Sequence, residues 1–246
     1  MFLVSDITAK SAVRIGSIFV PPCAVENRLQ STCKQILVHT NHPEYPYQLL
    51  GSMTCIKIYD RYFGVCTGHQ ISESQFENTS IFIFTKNLTV TASRIYTFDC
   101  DESDLSIRIF EFSEAVLEMK SISNQFFEVS PVSIWPNQAR DHFAIFGFPS
   151  KFQKVDSTYE TKTVVVSAKY NRKSNSPYTH VLEIKENFEL TSDGMSGGTV
   201  YYMAGYPGDY FIGWAGIVVR GGNPSKYLYF IESGFILEKI TEAISQ

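Results

Sequence analysis

The sequence predicts an all-β fold, a sandwich or barrel closed by one C-terminal helix, and three observations carry that prediction. Short runs rich in β-branched and aromatic residues recur along the chain, separated by clusters of Gly, Pro, Asn, Asp and Ser. No amphipathic helical stretch intervenes between them, which argues against βαβ units and a parallel sheet. Only the final segment, SGFILEKITEAIS, places apolar residues at helical spacing, with Ile240 and Ile244 four apart.

In chain order, the first fifty residues contain strand-like IGSIFV and QILVH and a polar, Pro-containing TNHPEYPY. Residues 1–50 are read as an N-terminal extension and the first edge of a barrel. SMTCIKIYD, RYFGVCT, SIFIFT, LTVTASRIYTF and DLSIRIFEF then define a first β unit over residues 51–125. Ser113 to Asp141 is the least strand-like internal region and reads as the connection to a second unit, residues 126–246. That unit holds HFAIFGF, TKTVVVSAKY, THVLEIK, GTVYYMA, YFIGWAGIVV and KYLYFIE. It ends in the helix, whose apolar face is Phe235, Ile236, Ile240 and Ile244.

Composition narrows the function classes. With 44% hydrophobic and 19% charged residues in 246, the chain is neither disordered nor a coiled coil or collagen-like repeat. A net charge of −4 without a dominant Lys/Arg run argues against nucleic-acid binding, which needs clustered cations to displace counterions. No apolar run approaches the roughly 18 residues of a membrane helix. The N-terminus, MFLVSDITAKSAVRIGSIFVPP, has Asp6, Lys10 and Arg14 where a signal peptide needs a sustained apolar stretch. Five cysteines, an odd number, leave at least one unpaired in a monomer, and the expected setting is a reducing cytoplasm. Cys33, His39 and His42 are too loosely spaced to argue for zinc, so neither a metal nor a cofactor is expected. The sequons at Asn78 and Asn87 matter only in a secreted protein.

One stretch asks for more than punctuation. In TSDGMSGGTV, Ser196 follows Gly194 and Met195 and precedes Gly197 and Gly198. Glycines there permit a sharp bend and close approach, and the N–H groups of Gly194 and Ser196 can converge on a carbonyl oxygen that turns negative. The motif by itself leaves a hairpin turn and a nucleophile equally open. A serine nucleophile needs a base and a group that orients the base. His69, in YFGVCTGHQIS, sits at a strand end after a glycine, whereas His39 and His42 lie in a polar loop and His142 and His180 simply precede strands. Among Asp99, Asp101 and Asp104, the last stands directly before the alternating run LSIRIF and is favoured to accept the imidazole N–H.

These segments resemble the motifs of trypsin/chymotrypsin-like serine peptidases. TGHQ is similar to their Thr-Ala-Ala-His, DLSIRIF to Asp-Leu-Ala-Leu-Leu, and GMSGG to Gly-Asp-Ser-Gly-Gly, in the family's chain order His, Asp, Ser. IFGFP resembles the Gly-x-Pro turn of bacterial members, and WAGIVV the strand that lines the substrate cleft. The resemblance runs from about Gly51 to Gln246. It implies two perpendicular six-stranded β-barrels with the site in the cleft between them. It further implies His69 as base, Asp104 as its orienting carboxylate, Ser196 as nucleophile, and an oxyanion hole from the N–H groups of Gly194 and Ser196. Leu190 and Thr191 would form the floor of the specificity pocket, and Val219, Arg220 and Gly221 its wall.

An uncharged floor implies preference for an uncharged residue before the scissile bond, while Arg220 either turns to solvent or favours an acidic substrate residue. Met195 departs from the family, whose secreted members carry there the Asp that pairs with a new N-terminus after activation cleavage. No such cleavage is expected here, and the site is either constitutively formed or ordered by a regulatory protein partner. Protein or peptide substrates follow. The competing reading is a catalytically silent peptide-binding module on the same fold.

Overall fold

Two curled antiparallel sheets, each wrapped around its own apolar interior, meet along a third apolar layer. A computed structural model describes residues 12–40, 42–83, 88–100, 105–138, 140, 142–155, 159–160, 162–185, 193–206, 208–221 and 226–245. Strands β1 (Val13–Ile15) and β2 (Ile18–Val20) form a hairpin around Gly16, whose φ is +59°. Helix α1 (Pro22–Gln30) follows, with Pro at its first position, where a missing N–H costs nothing.

The first sheet comprises β3 (Cys33–His39), β4 (Tyr47–Ile58), β5 (Arg61–Thr67), β6 (Thr79–Ile83), β7 (Leu88–Thr91), β8 (Arg94–Phe98) and β9 (Ile107–Glu111). Its order is β7-β6-β3-β4-β5-β9-β8. The outermost strands, β7 and β8, are joined through only Ala92 and Ser93, so the sheet must curl until its two edges nearly meet. Among the described residues no ladder joins those edges. Ser93 donates its N–H to Glu111 O at 2.8 Å, committing the chain to β9 as soon as it leaves β7. The result is a curled half-barrel.

Short helix α2 (Ser113–Glu118) and β10 (Phe127–Glu128), which pairs with β4 in parallel, lead across to the second sheet. There β11 (Phe143–Gly147) precedes a two-stranded flap, β12 (Lys154–Val155) and β13 (Tyr159–Glu160). Then come β14 (Val164–Lys173), β15 (Thr179–Ile184), β16 (Thr199–Ala204), β17 (Phe211–Gly221) and β18 (Tyr227–Glu232). The order β16-β11-β14-β15-β18-β17, closed by β16 pairing β17, makes a six-stranded antiparallel barrel. Strand β1 adds to β17 in parallel at Phe211 and Ile212, so residues 13–20 extend the second sheet, whereas β3 lies inside the first. Helix α3 (Ser233–Ser245) ends the chain and buries Ile236, Ile240 and Ala243, while Phe235 stacks on Tyr178. The all-β reading with a terminal helix therefore holds, and α1 is an element the sequence reading did not contain.

Three apolar clusters hold these layers. Ile36, Met53, Cys55, Cys66, Phe110 and Phe112 fill the first sheet, and Ile145, Val166, Met195, Val200, Ala215 and Phe230 the second. Between them Ile56, Phe63, Val65 and Ile107 meet Phe146, Tyr201, Trp214 and Ile231, with Ile236 and Ile240 of α3. Fully burying side chains of this size contributes about 1.5–3 kcal/mol each, so the seam stabilises the contact between the halves by the same kind of packing that fills each interior. The five cysteines are unpaired; burial pushes the thiols of Cys33 and Cys55 up to about 11 and 12, and that of Cys66 upward as well. Among the described residues no helix is long and apolar enough to cross a membrane.

One ion pair knits β5, β8 and β9. Arg61 donates Nε to Glu111 Oε1 at 2.9 Å and Nη2 to Oε2 at 2.6 Å, while Ser113 Oγ and Tyr96 OH donate to the same carboxylate. Burial works upward on Glu111, but the bonds from Arg61 and Ser113 outweigh it and leave the carboxyl below its ordinary 4.5. A carboxyl depressed on folding adds stability above its unfolded value and loses it as pH falls through the folded one. Glu111→Gln should therefore cost about 1–3 kcal/mol at neutral pH in denaturant unfolding. The gap from the parent should close as the pH is lowered through the carboxylate range.

Candidate active site

Strand β5 ends at Thr67, and one turn of 3-10 helix, Gly68–Gln70, carries His69 at the rim of the first sheet. Gly68 donates its N–H to Ser106 O at 2.7 Å, and a Cβ on it would lie 2.6 Å from Ser106 Cβ. Only glycine lets the two strand ends approach this closely. His69 is exposed at this rim, and its Nε2 lies 3.1 Å from Ser196 Oγ.

Ser196 owes its position to a tight turn. Met195 O accepts the N–H of Gly198 at 2.9 Å, and positive φ falls on Gly197 (+75°), the third residue, which is the type II pattern. A Cβ at Gly197 would sit 2.0 Å from Ser52 O, and one at Gly198 2.5 Å from Phe146 O. The glycines after the serine are thus demanded by both dihedral and space. Just before the turn, Gly194 has φ +85°, and Asp193 O accepts Ser150 N–H at 2.9 Å. In a trans peptide the N–H points opposite to the C=O. Anchoring Asp193 O on Ser150 and Met195 O on Gly198 therefore turns the N–H groups of Gly194 and Ser196 the other way.

Neighbours from β4 hold the remaining carbonyls. Ser52 Oγ donates to Gly194 O at 2.7 Å, Ser52 N to Ser196 O at 3.2 Å, and Thr54 Oγ1 to Gly197 O at 2.9 Å. The amide of Gln70 also donates to Ser196 O, at 2.9 Å. None of these residues was signalled by the sequence, because their partners are main-chain atoms more than a hundred positions away.

Ser196 Oγ has a second neighbour, Val219 O, to which it donates at 2.9 Å. Strand β17 shifts register between Val218 and Arg220 against Phe230 and Tyr229, which leaves Val219 as the extra residue of a bulge. A bulged carbonyl is out of the ladder and open to a side chain. The single hydroxyl proton of Ser196 thus has two acceptors within reach, Val219 O and His69 Nε2. All of this borders a groove of about 480 Å³ that includes Leu50, Asp193 and Arg220. Arg220 lies along the wall with its guanidinium 4.7 Å from the centre of the Tyr229 ring.

The structure therefore brings together His69, Gly194, Ser196, Val219 and Arg220 of the residues singled out from sequence. Gly221 closes β17 with φ +125°. Asp104, Leu190 and Thr191 lie outside the described residues. Ser106, in the same run of sequence, accepts the Gly68 N–H through its carbonyl. Asp99 instead pairs with Arg108, Oδ1 to Nη1 at 2.7 Å. The other histidines are engaged elsewhere. His39 meets Ser80 Oγ at 3.0 Å, His42 accepts the N–H groups of Glu44 and Tyr45, and His142 lines a separate cavity. His180 is buried between Glu232, 2.8 Å from its Nε2, and Tyr170. Cys33 offers its thiol hydrogen to Phe146 O and faces the seam.

Neither a protein-family model nor a curated protein matches the chain. Solved structures do match in shape. An inactivated protease paralogue from the scabies mite superposes with a TM-score of 0.57 at 10% identity, over 89% of this chain and 96% of that one. A thermostable serine protease from an extremophilic microorganism gives 0.54 at 10% identity, over 88% and 98%. The fold is the chymotrypsin-like fold of serine proteases.

The turn is the tightest part of the site, and it is testable alone. Gly197→Ala must place a methyl where φ is +75° and a carbonyl oxygen stands 2.0 Å away. It should destabilise the protein by at least about 2 kcal/mol in urea unfolding. An alanine tolerated without loss would show that the turn is not built as described.

Proposed function

We propose that the protein is a serine endopeptidase that cleaves peptide bonds through an acyl-enzyme on Ser196. The observation that carries this reading is the 3.1 Å approach of His69 Nε2 to Ser196 Oγ across the seam of the two sheets. In the resting arrangement the Ser196 hydroxyl donates to Val219 O. For attack it swings its proton to an unprotonated His69 Nε2, which receives it as Oγ bonds to the scissile carbonyl carbon. The carbonyl oxygen becomes an oxyanion, met by the N–H groups of Gly194 and Ser196. His69 then gives the proton to the leaving amine as the C–N bond breaks, and water, activated by the same imidazole, releases the acid. Asp104 is assigned to hold the imidazole tautomer and stabilise the imidazolium.

Met195 supports a site that needs no activation cleavage. It is fully buried in the second barrel, and a Cβ on Gly147 would lie 2.6 Å from its Sδ. An apolar plug occupies the place where an ion pair with a new N-terminus would otherwise be needed. Leu190 and Thr191, which the resemblance assigns to the pocket floor, are uncharged and favour an uncharged residue before the scissile bond. The five unpaired cysteines fit a reducing compartment such as the cytoplasm, where a site of this kind calls for narrow specificity or a regulatory protein.

A second reading keeps one observation in its favour. The Ser196 hydroxyl points at Val219 O, and one of the similar structures is of an inactivated paralogue, so the groove would hold a peptide without cutting it. A fluorophosphonate probe separates the two. The peptidase reading expects labelling at Ser196 of the full-length, unclipped chain, with a rate that rises as the imidazole loses its proton. Ser196→Ala should abolish labelling and lower turnover by a factor on the order of 10⁶. An unlabelled wild-type protein that still binds peptide would favour the silent module. In a peptide library, cleavage mainly after Lys or Arg would contradict the specificity assigned here.

A further inference from the structure

The carboxamide of Gln70 has every hydrogen-bonding position occupied. Its Oε1 accepts Thr67 N–H at 2.9 Å and Thr67 Oγ1–H at 2.8 Å. Its Nε2 donates to Ser196 O at 2.9 Å and Ser52 O at 3.0 Å, with Leu50 O further off at 3.4 Å. Flipping the amide would set its oxygen against three carbonyls and its NH₂ against an N–H, so the network admits one orientation. The slot is made by two glycines in left-handed conformations. A Cβ at Gly51 (φ +116°) would lie 2.9 Å from Nε2, and one at Gly197 (φ +75°) 2.7 Å from Oε1.

This one side chain bonds to three segments at once. Thr67 begins the turn that carries His69, Ser52 belongs to β4, and Ser196 carries the hydroxyl. We propose that Gln70 is a positioning residue that sets the separation between His69 Nε2 and Ser196 Oγ, a role that rests on the hydrolytic reading of that pair. It touches neither substrate nor reacting atoms and acts through the two groups on either side of it. Misplacing reacting groups by about 1 Å costs around 10²-fold in rate, so a clip of this kind has a measurable effect.

The test is a double-mutant comparison read by NMR titration of the His69 ring, which does not depend on turnover. In the parent protein, Ser196→Ala should move the His69 titration midpoint, because a hydrogen-bonding neighbour is lost. In a Gln70→Ala background the same change should leave the midpoint where it was. Equal shifts in both backgrounds would overturn the proposal. No shift even in the parent would overturn both the proposal and the contact it explains. Alongside, Gln70→Ala should slow fluorophosphonate labelling about 10²-fold. Gln70→Glu keeps the length but loses both donors and should behave like Gln70→Ala in the titration. Its labelling relative to the parent should recover toward acid pH, where a protonated carboxyl regains one hydrogen for Ser196 O. A parent that never labels would remove the peptidase reading while the titration still decides the role of Gln70. Failure of both Gln70 variants to fold would assign the residue to folding and overturn the proposal.

Discussion

Five consecutive peptide carbonyls, Asp193 to Gly197, are each committed to a donor, and the arrangement of the site depends on that constraint. Ser150 and Gly198 from the second half hold two of them. Ser52, Thr54 and Gln70 from the first half hold the other three. A buried carbonyl left without a donor is costly, so the turn cannot relax one peptide without exposing another. The direction of the Gly194 and Ser196 N–H groups is inherited from this set of anchors. Rigidity at the 193–197 turn is thus a property of the backbone accounting around it and not of the Ser196 side chain.

The same anchors explain why the groove lies where it does. The apolar seam brings Phe63 and Ile107 against Trp214 and Ile231 and fixes the relative placement of the two sheets. Where the seam reaches its rim, polar side chains of β4 take over and stitch directly into the 193–197 turn. Hydrophobic packing supplies the affinity between the halves, and the polar stitches supply the register. His69 and Ser196, 127 positions apart in the chain, meet at that boundary because both conditions are satisfied there.

Much of this was legible in the sequence, for local reasons. Strand composition and terminal helical spacing are carried by adjacent residues, and they identified the β-rich fold and α3. Ser196 and His69 stood out because glycine requirements and strand ends leave short signatures. Helix α1 was missed since only Leu29 of its nine residues is buried, which leaves no apolar periodicity to read. Ser52, Thr54 and Gln70 were missed for a different reason. Their work is done on distant main-chain atoms, and a polar residue beside a strand looks the same whether or not such an atom waits for it. The bulge at Val219 is similarly silent, because it arises from pairing register with β18 and not from any residue type.

The three sequestered thiols amount to built-in reporters of how the molecule comes apart. Cys55 and Cys66 are sealed inside the first sheet, and Cys33 belongs to the layer between the halves, while Cys23 and Cys100 face solvent. Burial keeps the inner three protonated and unreactive, so alkylation can reach each only when its own enclosure opens. Parting of the halves would unmask Cys33 alone, whereas melting of the first sheet would unmask Cys55 and Cys66. The order in which these sulfurs become accessible would record whether the protein loosens at its waist or from within.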